Sequence, residues 1–255
     1  MIETRGISFD VPGKTILNDL NFSLKKGSFN GIIGKNGAGK STLIQILAGL
    51  KEPTKGEVLY QDLPLMKISD LAQKRAVLSQ EIPVSFGLSV FDILLMGRFP
   101  HRPLSSNDFE FVDQIIEELH LQDLLETPYP HLSGGERQRV QFGRTLCQLM
   151  PFDDLSGKTL ILDEPLSAFD LSIQQMVLKF IKRLQTEKNL TVVLILHDLN
   201  WISNCCDHVL LLEKGELQLE GTPEMVFTVE NLKKYFGIET RIILNDKEKP
   251  NIIYL

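Results

Sequence analysis

The stretch "FNGIIGKNGAGKSTLIQILAGL", Phe29 to Leu50, constrains this chain more than any other. Residues 29–33 are, apart from Asn30, non-polar and read as a core strand that runs straight into a glycine turn. From Lys40 the apolar residues change to helical spacing, with Leu43, Ile46, Leu47 and Leu50 on one face and Gly49 and Pro53 near the stop. Strand, glycine loop and helix are therefore expected in immediate succession.

Within that unit, "GKNGAGKST" fits G-x-x-x-x-G-K-[ST] with Gly34, Gly39, Lys40 and Ser41. Glycines let successive backbone N–H groups turn inward on phosphate oxygens, and Lys40 has the reach for the β and γ oxygens. Ser41 offers a hydroxyl to Mg²⁺ at a helix N-terminus, whose dipole favours anions. Lys35, Asn36, Gly37, Ala38 and Thr42 complete the candidate loop. A chance glycine turn before a helix is the bland alternative, and the strand in front of the loop argues against it.

A second acidic element follows a buried-strand pattern, "TLILDEP". Asp163 at the strand end is placed to hold Mg²⁺ through water, and Glu164 to polarise an attacking water. Read alone, the two acids also suit an ordinary strand end at the surface.

The stretch "LSGGERQRVQ", Leu132 to Gln141, begins a helix with two glycines, although glycine costs a helix interior about 1 kcal/mol relative to alanine. Ser133 and Glu136 have the spacing of a capping box, which accounts for those two residues and not for Gly134 and Gly135. Two side-chain-free residues in the first turn would let a phosphate approach exposed N–H donors, making a second anion site distinct from the one at Gly39.

The surrounding pattern is α/β. "RGISFDV", "LNFSLKKG" and "FNGIIG" read as strands separated by turn signals, and residues 89–150 contain no β-rich run, only helical segments joined by "RFPHRP" and "TPYPH". "TLILD" and "TVVLILHD" are continuous apolar runs of the kind found in parallel strands buried on both faces, with an amphipathic helix near Leu171 to Glu187 between them.

The 255 residues are 43 % hydrophobic and 24 % charged, enough for one large core, and the net charge of −6 is spread without a basic tract. That disfavours a polyanion such as nucleic acid as the main partner. Three cysteines, Cys147, Cys205 and Cys206, form no disulfide framework or C-x-x-C pair, so small core residues in a reducing compartment are expected. No apolar run approaches the roughly 20 residues of a membrane span, and "MIETRGISFD" has no leader-like apolar region, so a cytosolic chain is expected.

Taken in order, "GKNGAGKST", "LSQ", "LSGGERQR", "ILDEPLSAFD" and "ILHD" resemble the ATP-binding subunit of an ABC transporter. The resemblance implies a P-loop NTPase with a mainly parallel central sheet, an N-terminal antiparallel β subdomain and an inserted helical subdomain. It divides one nucleotide-binding domain into a core at 1–88 and 151–222, a helical signature subdomain at 89–150 and a tail at 223–255. It implies ATP and Mg²⁺, and a head-to-tail pair of copies in which Ser133, Gly134 and Gly135 of one chain close on the γ-phosphate held by the other.

Individual positions carry over from the same resemblance. Gln80 matches the Q-loop glutamine that contacts Mg²⁺ and the nucleophilic water. His197 matches the switch histidine that orients Glu164. Asp170 matches the D-loop aspartate at the dimer seam, with Leu166 and Phe169 standing where Thr and Leu are common. The usual adenine-stacking aromatic is replaced by Val11, and period-two alternation puts Phe9 on the same face, so Phe9 either stacks or belongs to the core.

Within the family, "VPGKTIL", "LLMGRFPHRP", "ERQRV", "LMPFDDLSGK" and "GTPEMVFTVENLKKYFGI" are similar to ATPases of importers for iron–siderophore, haem and cobalamin. That likeness implies a separate membrane permease, an indirect link to a substrate-binding protein, and a place on the cytoplasmic face of the membrane. An exporter subunit and a soluble ABC ATPase acting on nucleic acid or ribosomes are the alternatives.

Overall fold

The computed structural model describes residues 1–65, 70–79, 87–246 and 248–255. Two long strands, β1 (Ile2–Val11) and β2 (Lys14–Leu24), pair across the Pro12-Gly13 turn. They lead into β3 (Phe29–Ile33) and α1 (Lys40–Leu47), the strand and helix around the glycine loop. β4 (Lys55–Tyr60), β5 (Leu63–Pro64), α2 (Leu71–Lys74) and β6 (Arg75–Leu78) follow.

Helices α3 (Val90–Met96), α4 (Ser106–Glu118) and α5 (Gly134–Cys147) make the helical lobe. The chain then returns through β7 (Thr159–Asp163), α6 (Leu171–Lys188), β8 (Thr191–Ile195), α7 (Leu199–Cys205), β9 (His208–Glu213) and β10 (Glu216–Gly221). Short helices α8 (Pro223–Val226) and α9 (Val229–Asn231) precede the hairpin β11 (Thr240–Leu244) and β12 (Pro250–Tyr254).

The central sheet has the order β10-β9-β3-β8-β7-β6, parallel from β9 to β6 with β10 antiparallel at one edge. A separate antiparallel sheet has the order β2-β1-β4-β5. Because strand side chains alternate, each central strand feeds two cores. Phe29, Ile33, Leu160, Leu162, Val192, Leu194, Val209 and Leu211 face a core shared with the helical lobe and α6. Ile32, Ile161, Val193, Ile195, Leu210 and Leu212 face the second core, shared with α1 and the antiparallel sheet. That two-sided burial is why these strands read as unbroken apolar runs.

The lobe is fastened by polar contacts at its helix ends. Ser89 and Asp92 close a capping box on α3, and Ser133 and Glu136 close one on α5. The buried Arg98 guanidinium donates to Asp108 Oδ1 at 2.5 Å and to the carbonyls of Cys147 and Met150 at 2.7 and 2.9 Å, tying α4 to the end of α5. At the C-terminus, Asn200 of α7 holds β12 through Ile252: its Nδ2 donates to the Ile252 carbonyl at 3.0 Å, and its Oδ1 accepts from the Ile252 N–H at 2.7 Å.

Two local expectations change. Leu50 is not on the buried face of α1: the helix ends at Leu47, Gly49 takes a φ of +64°, and Leu50 is exposed. Phe9 and Val11 do not share an environment either, because β1 has register shifts on both sides of Phe9 that break the alternation. Phe9 packs against the second core with the Lys51 ammonium 4.8 Å from its ring centroid, while Val11 is exposed. Of the three cysteines expected in the core, Cys147 and Cys206 are buried and Cys205 is half-buried.

Candidate active site

The carboxyl ends of parallel strands lie along one edge of a sheet, where ligands of open α/β folds bind. Here that edge carries the glycine loop after β3, Asp163 at the end of β7, Glu164 just beyond it, and His197 two residues beyond β8.

Gly39 is the N-cap of α1 with a φ of +97°, and no side chain caps the helix. A β-carbon there would sit 2.6 Å from Leu17 Cδ2 and 3.0 Å from the Ile16 carbonyl oxygen, so both backbone conformation and the approach of β2 demand glycine. The first-turn N–H groups of α1 are thereby left without a side-chain acceptor, which is the arrangement that receives a phosphate.

Lys40 is buried, and its ammonium donates to the carbonyls of Gly34 at 2.8 Å and Lys35 at 3.2 Å. Burial lowers its pKa, while the nearby Glu164 and Asp163 carboxylates work in the opposite direction. The charge is held inside the loop by two backbone carbonyls.

Ser41 Oγ donates to Asp163 Oδ1 at 3.4 Å, joining the loop to the end of β7. Burial raises the Asp163 carboxyl, the Ser41 hydrogen bond opposes this, and the Glu164 carboxylate raises it further. Two hard oxygens and excess negative charge suit Mg²⁺, which keeps several waters and takes phosphate oxygens as its remaining ligands. Among the described residues there is no cluster of three or more His, Cys, Asp or Glu side chains of the kind that forms an all-protein metal cage.

Glu164 is one of the few non-glycine residues with a positive φ, +52°, a conformation that costs about 1 kcal/mol. Its Oε1 lies 2.7 Å from His197 Nε2, within hydrogen-bond distance. A carboxylate and a histidine predicted from separate motifs are thus brought together beside the Ser41–Asp163 pair.

At the start of α5 the two glycines separate into different roles. A β-carbon on Gly135 would lie 2.7 Å from the Ala168 carbonyl, so that position is bare because the segment after Glu164 packs against it. A β-carbon on Gly134 would meet nothing within 4 Å, and both Ser133 and Gly134 are exposed. The bare surface the sequence offered to a phosphate therefore begins at Gly134. Ser133 donates its N–H to Glu136 Oε2 at 2.7 Å, and hydrogen bonds from the Ser133 side chain and backbone hold the Glu136 carboxyl below its ordinary value.

Sequence reasoning missed Gln138, which lies inside the quoted "LSGGERQR" and bonds to residues 164–168. The glutamine hints at a polar contact, yet nothing local shows what it meets. Asp170, expected at a dimer seam, caps α6 by accepting from the Ile173 N–H at 2.9 Å. Gln80 lies outside the described residues.

The family model for ABC transporters matches residues 17–167. The chain belongs to the ABC transporter family. The Hemin import ATP-binding protein HmuV of Hahella chejuensis (strain KCTC 2396) is 39 % identical over 246 residues, covering 95 % of each chain. A chain from an inward-facing metal-chelate type ABC transporter shares 29 % identity and superposes with a TM-score of 0.80 over 100 % of this chain and 96 % of that one. An ATP-binding cassette solved as a dimer in a post-hydrolysis state, bound to ADP and Pi, is 25 % identical with a TM-score of 0.75 over 87 % of this chain and 98 % of that one. The fold is that of an ABC ATPase, and no helix among the described residues is long and apolar enough to cross a membrane.

Proposed function

We propose that the chain is the ATP-hydrolysing subunit of an importer for an iron chelate, haem or a ferric siderophore, working with a separate permease at the cytoplasmic face of the membrane. The likeness to hemin import ATP-binding proteins and to a metal-chelate type transporter supports the cargo class and the direction. The hydrolytic reading is carried by one observation, the Glu164–His197 contact of 2.7 Å at the strand ends beside the phosphate loop.

In this reading the loop from Gly34 to Thr42 binds the ATP phosphates, with Lys40 neutralising the γ oxygens. Glu164 accepts a proton as water attacks the γ-phosphorus and the bond to the β–γ bridging oxygen breaks, releasing ADP and inorganic phosphate. His197, through Nε2, fixes the carboxylate that receives the proton. Ser41, Asp163 and Gln80 are the proposed holders of Mg²⁺, which when bound neutralises charge on the phosphates.

Ser133, Gly134 and Gly135 are proposed to close on ATP held by a second copy, so that two bound nucleotides join the pair and hydrolysis releases it. The permease, on the helical lobe, would convert that closure into transport, and a substrate-binding protein would deliver cargo to the permease.

The test is affinity purification of the tagged Glu164→Gln chain from native membranes with ATP and Mg²⁺, followed by wild-type ATPase assays on the complex. A many-span permease and stimulation by haem or an iron chelate are expected. A soluble or nucleic-acid-bound partner set would overturn the transport assignment. Lys40→Ala should lose ATP binding, and retained affinity would count against the phosphate-loop reading.

A further inference from the structure

Gln138 sits one helical turn into α5, and its side-chain amide is engaged with the segment that follows β7. Its Oε1 accepts from the Ala168 N–H at 2.9 Å, and its Nε2 donates to the Glu164 carbonyl at 3.3 Å and to Ser167 Oγ at 3.2 Å. One oxygen and two N–H donors are thus matched to three partners across residues 164–168.

Beyond Glu164 the segment is anchored by Leu166 and Phe169, buried in the core shared with the helical lobe, and by Gln174 Nε2, which donates to their carbonyls at 3.4 and 3.0 Å; at the Glu164 carbonyl the side-chain hold comes from Gln138. Glu164 is in the left-handed region at φ +52°, a conformation that persists only where surroundings impose it. Inside the turn, the Ser167 N–H reaches the Glu164 carbonyl only at 3.5 Å, and the next bond runs from the Phe169 N–H to the Leu166 carbonyl at 3.1 Å. The Glu164 carbonyl is shared between that long bond and the Gln138 amide. The direction of the Glu164 side chain toward His197 follows from the backbone the amide holds.

We propose that Gln138 is a positioning residue for ATP hydrolysis: from α5 it sets the backbone of Glu164, and with it the aim of the carboxylate. This rests on the reading of Glu164 as the base. The same helix opens with Ser133 and Gly134, and Gly135 already lies against the Ala168 carbonyl. The helix that presents the signature residues is thus in direct contact with the backbone that carries the base.

The test compares wild type, Gln138→Leu and Gln138→Glu in the full chain, measuring kcat, nucleotide affinity by titration and melting temperature, with turnover followed from pH 8 to 5.5. Gln138→Leu removes all three bonds at similar volume. It is expected to lower kcat at least tenfold while leaving ATP affinity within twofold and the melting temperature within a few degrees.

Gln138→Glu keeps the acceptor for the Ala168 N–H but at neutral pH has no hydrogen to give the Glu164 carbonyl. The introduced carboxyl regains that donor when protonated, so the ratio of this variant's kcat to the wild-type kcat should rise as pH falls, a response that a packing role would not produce. Wild-type turnover in Gln138→Leu overturns the proposal. So does a flat ratio for Gln138→Glu across the pH range, whatever the stability of the leucine variant. Absence of turnover in the wild type itself would instead overturn the hydrolytic reading, and the positioning role with it.

Discussion

Gly134 and Gly135 are adjacent, yet the physical demand on each is different. Adding a methyl at Gly135 drives a β-carbon to 2.7 Å from the Ala168 carbonyl, and forced overpacking of this kind costs about 1–3 kcal/mol. Gly135→Ala should therefore lower the melting temperature of the nucleotide-free chain by roughly 2–12 °C. Gly134→Ala has open space around it and should not lower the melting temperature at all. In the Glu164→Gln background, however, it should weaken ATP-driven pairing on a size-exclusion column. A melting temperature that fell equally in both would refute the distinction.

At the scale of elements, a buried ion pair links the helices of the lobe. Asp108 is buried and shares its carboxylate between Arg98 and Ser105, whose N–H it accepts at 2.7 Å. Burial pushes the carboxyl up, but the Ser105 N–H, the Arg98 guanidinium and the Ser105 hydroxyl outweigh burial and hold it below its ordinary value. A carboxyl depressed on folding contributes stability that is present above its unfolded value and lost as pH falls through the folded one. Asp108→Asn, which imitates the protonated state, should cost about 3–5 kcal/mol at neutral pH because it strands the Arg98 charge. The difference from wild type should shrink as pH drops below about 3.8, the ordinary value for this carboxyl. Thermal melts of both chains from pH 7 to 3 check the sign, and a constant gap would contradict it.

For the whole molecule, the central sheet divides two cores and brings the phosphate loop, Asp163, Glu164 and His197 to one edge. The proposed pairing of two copies gives a reason for Leu171, which opens α6 directly after Asp170 and is 72 % exposed although apolar. Leu171→Arg should leave the melting temperature of the nucleotide-free chain unchanged and weaken ATP-dependent dimer formation by Glu164→Gln in analytical ultracentrifugation. Unaltered dimerisation would move the seam away from α6.

How much was legible in the sequence follows from the range of each interaction. The unit β3, loop and α1 was readable because strand propensity, glycine turn and helical period are all local, and so was the Ser133–Glu136 capping box. β6 was not singled out: "RAVL" is four residues long and is a strand because it lies beside β7. The alternation expected of Phe9 and Val11 failed because β1 is bulged, a property of its pairing with β2 and not of its own residues.

The sequence by itself determined the local chemistry: a glycine loop before a helix, acids after a buried strand, a capped helix opening on glycines. Tertiary structure alone decided which of these groups meet. Ser41 and Asp163 are 122 positions apart, and Glu164 and His197 are 33 apart. They touch because parallel strands align their carboxyl ends, and that alignment is enforced by two cores that no single segment can build.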